Sequence, residues 1–319
     1  MRSVLHCPSH SLQGIMLALL LVAALPIFLG AQKPSLDQKL FAAIGQRDLV
    51  SVDNLIREGA SVEARGTNGM TPLMEAAEQG SVPLLSLLLE NGAKPNAKDE
   101  QGETALSWAA RGGWVRAVDL LGGLSDEAAK KHALFEAARG GPVVLDFDPS
   151  PPIHPQIEPS EVVQSWTATV ESLLAHGAAL EAKDEDGSTP LLEAAAYAQT
   201  DVFKLLMQKG ARLDARDKYG NTALIAAACQ CAVATMNSAN TIVQIALASG
   251  ADVNARNCDG ETALMMASGM SGDAYVLKLL LDFHADPSLK DHKGRTALAI
   301  AISGRRDDKI AVLKRVPTR

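Results

Sequence analysis

A short pattern built on Gly-x-Thr recurs six times along the 319-residue chain. The copies read GMTPLMEAA, GETALSWAA, GSTPLLEAA, GNTALIAAA, GETALMMAS and GRTALAIAI, and they begin at Gly69, Gly102, Gly187, Gly220, Gly260 and Gly294. Successive copies lie 33, 85, 33, 40 and 34 residues apart, which sets a base period of 33 with two exceptions. A fixed period of this length is typical of a chain that stacks one small structural unit.

A second motif lies just upstream of the Gly-x-Thr copies. Its copies are EGASVEAR from Glu58, NGAKPNAKD from Asn91, HGAALEAKD from His176, KGARLDARD from Lys209, SGADVNARN from Ser249 and FHADPSLKD from Phe283. Leucine-rich stretches with apolar residues at helical spacing, such as SVPLLSLLLENGA, lie between the two motifs. Each period therefore predicts two short helices followed by a turn.

Together the two motifs resemble the ankyrin repeat, in which D-x-x-G-x-T-P/A-L opens a first helix and L-L-x-x-G-A closes a second. Gly102 permits the positive φ of a tight turn, and Thr104 can cap the helix that follows. Gly92 is placed to end a second helix. The resemblance implies an all-α repeat solenoid of helix-turn-helix units with β-hairpin loops.

The spacing of the motifs predicts an N-terminal cap and seven repeats over residues 36–319. The long interval after Gly102 hides a degenerate repeat, because HALFEAARGG from His132 matches a first helix and VVQSWTATVESLLAHGAALEAKD from Val162 matches a second. A proline-rich insertion, residues 140–161, separates these two helices. The preceding repeat lacks its closing motif, so we expect the stack to be least regular over residues 122–132.

The first 31 residues have the three-part layout of a secretory signal peptide. Arg2 precedes an uncharged apolar run over residues 15–29, and the small residues Gly30 and Ala31 follow it. This run is shorter than the roughly 20 residues that a spanning helix needs. We expect cleavage after Ala31 and a periplasmic or secreted protein, and the alternative is an uncleaved segment that anchors the chain to a membrane.

Composition and motif content argue against nucleic-acid binding and against catalysis. The formal net charge is −7 and aromatic residues make up 4% of the chain, whereas nucleic-acid sites need clustered basic and stacking side chains. No nucleophile with its base and no metal-ligand spacing stands out, so we expect no enzymatic activity, catalytic residue, cofactor, metal or small-molecule substrate. The alternative is an enzymatic or metal-dependent activity in the insertion, where Asp146, Asp148 and His154 could bind a metal.

The ankyrin resemblance implies a protein partner, bound by hairpin tips and first helices along a concave surface. Besides Phe147 of the insertion, the candidate contact residues are the variable positions around each turn: Glu100, Gln101, Glu103, Glu185, Asp186, Lys218, Tyr219, Asn221, Asp259, Glu261, His292, Lys293 and Arg295. Tips near Glu100 and Glu185 are acidic and later ones are mixed or basic, so a partner of graded charge would be steered in one orientation. We expect a monomer that binds an unidentified protein, and a membrane-tethered structural role in the cell envelope is a further alternative.

Overall fold

The computed structural model describes residues 33–140, 165–229, 236–270 and 274–316. These residues contain sixteen α-helices, one turn of 3₁₀ helix at Thr67–Gly69 and no β-strand. In chain order the α-helices are α1 (Leu36–Gly45), α2 (Leu49–Arg57), α3 (Pro72–Glu78), α4 (Val82–Glu90), α5 (Ala105–Arg111), α6 (Val115–Gly122), α7 (Glu127–Arg139), α8 (Trp166–Ala175), α9 (Pro190–Ala196), α10 (Thr200–Gln208), α11 (Ala223–Ala228), α12 (Met236–Ala248), α13 (Ala263–Gly269), α14 (Tyr275–Asp282), α15 (Ala297–Ser303) and α16 (Asp307–Leu313).

The helices are arranged as consecutive antiparallel pairs that stack side by side. The pair α1 and α2 forms the N-terminal cap, and the seven pairs from α3 and α4 to α15 and α16 form the repeats. Each odd-numbered helix packs on the next odd-numbered helix, and the even-numbered helices form a second layer. The predicted cap, seven repeats and all-α solenoid are confirmed.

The first helix of each regular repeat begins at the threonine of the Gly-x-Thr motif. Thr104 Oγ1 accepts a hydrogen bond from Ser107 N at 3.4 Å, and Thr222 Oγ1 accepts one from Ile225 N at the same distance. Pro72 and Pro190 occupy the first helical position, where no backbone donor is needed. These contacts lie within four residues along the chain, which is why the motif alone predicted the helix starts.

Second helices that are followed by a closing motif with glycine end at that glycine, as the sequence predicted, whereas His284 takes its place after α14. Gly92 has a φ of +86°, a conformation that an L side chain would strain. Its N–H donates to Leu89 O, and the N–H of Ala93 donates to Leu88 O, both at 3.0 Å. This pair of bonds is the Schellman arrangement that satisfies the last carbonyl groups of a helix.

A continuous apolar core runs through the stack. The leucine of the first five motif copies is fully enclosed, as in Leu73, Leu106 and Leu191, each no more than 1% exposed, whereas Leu298 of the last copy is partly buried. The paired alanines Ala109 and Ala110 are also completely buried. Their small side chains let neighbouring first helices approach closely, so each repeat depends on the next to bury its core.

The third repeat departs from the others before its first helix. α7 has thirteen residues and begins at Glu127, five residues before the segment from His132 that matches a first helix. Its N-cap is Asp126, whose Oδ1 accepts a 2.8 Å hydrogen bond from Ala129 N. The matched segment therefore lies in a first helix, and this helix also extends into the place where other repeats carry a hairpin. This stretch is the irregular junction that the missing closing motif predicted.

The last helix is held by a buried lysine. Lys309 is 2% exposed. Its ammonium group donates to Ala267 O and to Met270 O at 2.8 Å each. Because these carbonyls lie at the C-terminal end of α13, a cation there satisfies them and complements the helix dipole.

None of the helices that the structure describes is long and apolar enough to cross a bilayer. The apolar run over residues 15–29 and the expected cleavage point after Ala31 lie outside the described residues. The signal peptide therefore stays a prediction.

Candidate interaction surface

The hairpins between repeats are shaped by the residue that opens each turn. Asp99 Oδ1 accepts hydrogen bonds from Gln101 N at 2.9 Å and Glu103 N at 2.8 Å. The same pair of bonds forms at the equivalent residues of four later hairpins, Asp184, Asp217, Asn257 and Asp291. A side chain that accepts from backbone two residues on fixes a tight turn. This role of the aspartate was not predicted, although the first position of D-x-x-G-x-T carried the signal.

Neighbouring tips are joined by backbone hydrogen bonds. Lys218 N donates to Asp186 O at 2.7 Å, and His292 N donates to Asp259 O at 2.9 Å. Arg65 adds a side-chain tie, because its Nη1 donates to a carbonyl of its own hairpin, Gly69 O, and to Lys98 O before the next, both at 2.7 Å. These bonds thus hold the backbone of the tips, largely without help from the side chains that point outward.

Nine of the predicted contact residues are exposed at the tips: Glu100, Gln101, Glu185, Asp186, Lys218, Tyr219, Asp259, His292 and Lys293. Tyr219 is the largest apolar group among them and is 54% exposed. The ammonium group of Lys218 lies 5.1 Å from the centre of the Tyr219 ring and also pairs with the carboxylate of Asp186. The exposed tips therefore combine charge of both signs with one aromatic ring.

The predicted contact residue just before each threonine turns toward the neighbouring repeat instead. Glu103 and Glu261 are buried, at 7% and 9% exposure. Glu261 Oε1 lies 3.4 Å from Arg295 Nη2, and Arg295 Nε donates to Asp291 Oδ2 at 2.7 Å. Asn221, which is half-buried, accepts from Asn257 Nδ2 at 3.2 Å. Asn221, Glu261 and Arg295 thus connect the bases of neighbouring hairpins, whereas Glu103 pairs with Arg111 of α5.

The segment that carries the last predicted contact, Phe147, lies outside the described residues. Asp146, Asp148 and His154 of the metal-binding alternative lie outside them as well. Their roles stay predictions.

A row of alternating charges crosses the first helices of repeats two to four. Arg111 of α5 donates from Nη2 to Glu103 Oε1 at 2.7 Å and from Nε to Glu136 Oε2 at 2.6 Å. Arg139 of α7 donates from Nη1 to Glu136 Oε1 at 3.0 Å and from Nε to Glu193 Oε2 of α9 at 2.8 Å. We call these five side chains the charge ladder. Its residues are spread over three repeats, so no single repeat contains enough of them to form a sequence motif.

The charges of the ladder arginines are stabilised by their partners. Burial alone would lower the pKa of Arg139, but the hydrogen bond and charge of Glu193, followed by the charge of Glu136, raise it above its usual range. For Arg111, burial is likewise outweighed by Glu136 and then Glu103, which raise its pKa. Both groups are therefore fixed cations between carboxylates.

Tryptophan side chains bind carbonyl groups of preceding repeats. Trp114 Nε1 donates to Glu78 O at 2.8 Å, and Trp166 Nε1 donates to Arg111 O at 3.1 Å. Trp108 Nε1 donates to Asp99 Oδ2 at 3.1 Å, while the Arg111 guanidinium lies 4.6 Å from its ring centre. These rings fasten one repeat to another.

The model of the family "Ankyrin repeats (3 copies)" matches residues 40–142, 163–237 and 231–314. The chain belongs to the ankyrin repeat family. Ankyrin repeats indicate a protein–protein interaction module, and the family is generally non-enzymatic.

Curated ankyrin repeat proteins share parts of this array. An ankyrin repeat and KH domain-containing protein of Caenorhabditis briggsae is 46% identical over 69 residues, which is 21% of this chain and 3% of that protein. Human ankyrin repeat domain-containing protein 63 is 38% identical over 96 residues, or 27% of this chain and 25% of the relative. The mouse 2-5A-dependent ribonuclease is 38% identical over 69 residues, 21% of this chain and 9% of the enzyme. The chain spans at most a quarter of the length of these relatives.

Proposed function

We propose that this ankyrin repeat protein is a non-enzymatic binding module that holds a partner protein on its hairpin tips and first helices. The proposal rests on the different roles of two sets of residues in the hairpins, those that hold the turn and those that are exposed. The side chains of Asp99 and its equivalents hold the turn by accepting hydrogen bonds from its backbone. Glu100, Gln101 and the corresponding tip residues are exposed. A backbone that is already fixed loses little conformational entropy on binding, which favours recognition.

The charges of the tips indicate the chemistry of the partner. Glu100, Glu185 and Asp186 make the earlier tips acidic, and Lys218 and Lys293 add positive charge to later ones. A partner whose basic part faces the earlier tips and whose acidic part faces the later ones would be attracted in one orientation only. Tyr219 supplies the aromatic contact that protein interfaces favour near their centre.

Site-specific photo-crosslinking in cells tests this placement. A photo-reactive amino acid at Gln101 or at Tyr219 should crosslink the same protein. The control position is Gln244, which is equally exposed but lies on the second helix α12, and it should give no such product. Crosslinking of the same protein from Gln244 alone would place the contact on the second helices and contradict the proposal.

We also propose that the chain acts outside the cytoplasm. The support is the charged, apolar and small-residue layout of residues 1–31. Fractionation followed by N-terminal sequencing should yield a soluble exported chain that begins after Ala31. Recovery of the intact N-terminus in the membrane fraction would favour the membrane-anchored alternative.

A further inference from the structure

Three side chains with metal-ligand chemistry converge at the junction of the second and third repeats. Glu103 comes from the hairpin before α5, while His132 and Glu136 lie four residues apart on α7. Their ligand atoms all lie within 4.8 Å of one another. Residues at i and i+4 share one face of a helix, the spacing that helical metal sites use.

One oxygen of the buried Glu103 carboxylate has no hydrogen-bond partner among the described residues. Its side chain is 9% exposed, and Oε1 is bound by Arg111. Its other oxygen, Oε2, is enclosed and accepts no hydrogen bond from any described residue, although His132 Nδ1 lies only 3.4 Å away. A buried carboxylate oxygen without a partner costs free energy, so such an atom calls for a cation or a donor.

The surrounding charge favours a cation. Within the group joined by ion pairs, four carboxylates, those of Glu103, Glu136, Asp184 and Glu193, face two guanidinium groups, those of Arg111 and Arg139. The excess is negative, and a divalent ion would offset it. An acidic cluster alone is common on protein surfaces, but here it coincides with the enclosed Glu103 oxygen.

The donor set selects the type of ion. One imidazole nitrogen with two carboxylate oxygens suits zinc-like ions, whereas calcium and magnesium prefer oxygen alone. Each carboxylate oxygen has two lone pairs, so Glu136 can keep its bonds from Arg111 and Arg139 while it ligates a metal. In that role the arginines orient the ligand. The side chain of His132 is 39% exposed, which leaves a path for the ion and for a water ligand.

We infer that Glu103, His132 and Glu136 bind one divalent transition-metal ion of the zinc type. Neither Glu103 nor His132 belongs to a metal motif, because they lie in different repeats and only stacking brings them together. The site is distinct from the insertion and from the exposed tips, and it does not depend on the proposed partner binding.

Metal titration of the full-length protein tests this inference. The chain is stripped with a chelator and titrated with Zn²⁺ against a chromophoric competitor, and Co²⁺ absorption reports the ligand field. His132→Gln should lose one bound ion per chain or weaken its binding about tenfold or more, and should lose the Co²⁺ spectrum. Glu103→Gln should show the same loss.

His292→Gln is the matched control, because His292 is exposed on a hairpin tip far along the sequence. It should bind metal like the unmutated protein, and thermal unfolding without metal should confirm that all variants are folded. Equal stoichiometry, affinity and Co²⁺ spectrum in His132→Gln and the unmutated protein would overturn the inference. Failure of the unmutated chain to bind Zn²⁺ would overturn it as well.

Discussion

Arg139 Nε donates a 2.8 Å hydrogen bond to Glu193 Oε2 and so joins α7 to α9 across the boundary between the third and fourth repeats. Arg139 is the last residue of α7, the first helix of the third repeat. It is part of a ladder whose members come from three different repeats. The ladder thus links the two halves of the array at their least regular point.

We expect Arg139→Met to lower the free energy of unfolding by about 1–3 kcal/mol, because it leaves the carboxylate of Glu193 without its arginine and Glu136 with Arg111 alone. A double-mutant cycle with Glu193→Gln should give clear coupling. The control is the exposed pair Arg212 and Asp214, where Arg212→Met and Asp214→Asn should show no coupling beyond error. Equal coupling in the two cycles would show that the ladder has no special role.

Gly112 and Gly123 test how closely the Trp114 indole packs against the end of α5. Gly112 and Gly123 both end helices with negative φ, −75° and −71°. A Cβ at Gly112 would overlap the Trp114 indole, whereas a Cβ at Gly123 has open space. Gly112→Ala should therefore cost about 1–3 kcal/mol, and Gly123→Ala should stay within about 0.5 kcal/mol. Chemical denaturation measures both, and similar values for the two variants would contradict the packing.

The threonine caps should each stabilise a first helix. Thr222→Ala is expected to cost about 1 kcal/mol, and Thr222→Ser should restore most of it, because the hydroxyl bonds to Ile225 N. Ser81 is also an N-cap, but its side chain makes no capping bond. Ser81→Ala should therefore change the unfolding free energy much less. A larger loss in Ser81→Ala than in Thr222→Ala would refute this role of the motif.

The turn-forming carboxylate of Asp291 predicts a pH dependence. Burial alone would raise its pKa, but the backbone N–H and guanidinium of Arg295 stabilise the carboxylate and lower it. Since the folded-state pKa lies below the unfolded value of about 3.9, the stabilisation is complete above that pH and is lost as the pH falls through the folded-state pKa.

Asp291→Asn removes the charge but keeps an oxygen for both backbone N–H groups, as Asn257 does naturally. We expect it to cost about 1 kcal/mol at pH 7 and progressively less below about pH 4. Urea denaturation across this range measures the difference, with Asp259→Asn at an exposed tip as the control. A cost that stays constant down to pH 3 would exclude the charge effect.

Most of the repeat architecture could be predicted because its signals act locally. Thr104 caps a backbone N–H three residues on, and Gly92 closes a helix within the same turn. α7 begins before the segment that matches the repeat motif, because the residues from Glu127 to Lys131 are strong helix formers with an Asp126 cap. The position of the repeat motif therefore did not mark where this helix begins.

Of the candidate interaction surface, only the exposed residues of the hairpin tips could be predicted from the sequence. Glu100 and Glu103 look alike in sequence, yet the first is exposed and the second is buried against Arg111. The difference depends on which way the turn faces relative to the next repeat. The bond between Arg139 and Glu193 joins residues 54 apart, so only stacking across the insertion creates it.

Association kinetics with the crosslinked partner, measured over a range of salt concentrations, test the central claim most directly. Joint replacement of Glu100, Glu185 and Asp186 by Gln, Gln and Asn should slow association and flatten its salt dependence, because these tips would steer the partner. The matched control replaces Glu90, Glu171 and Asp201, which are exposed on second helices, by their amides and should leave both quantities unchanged. An unchanged association rate and salt dependence in the tip variant would contradict binding through the hairpin tips.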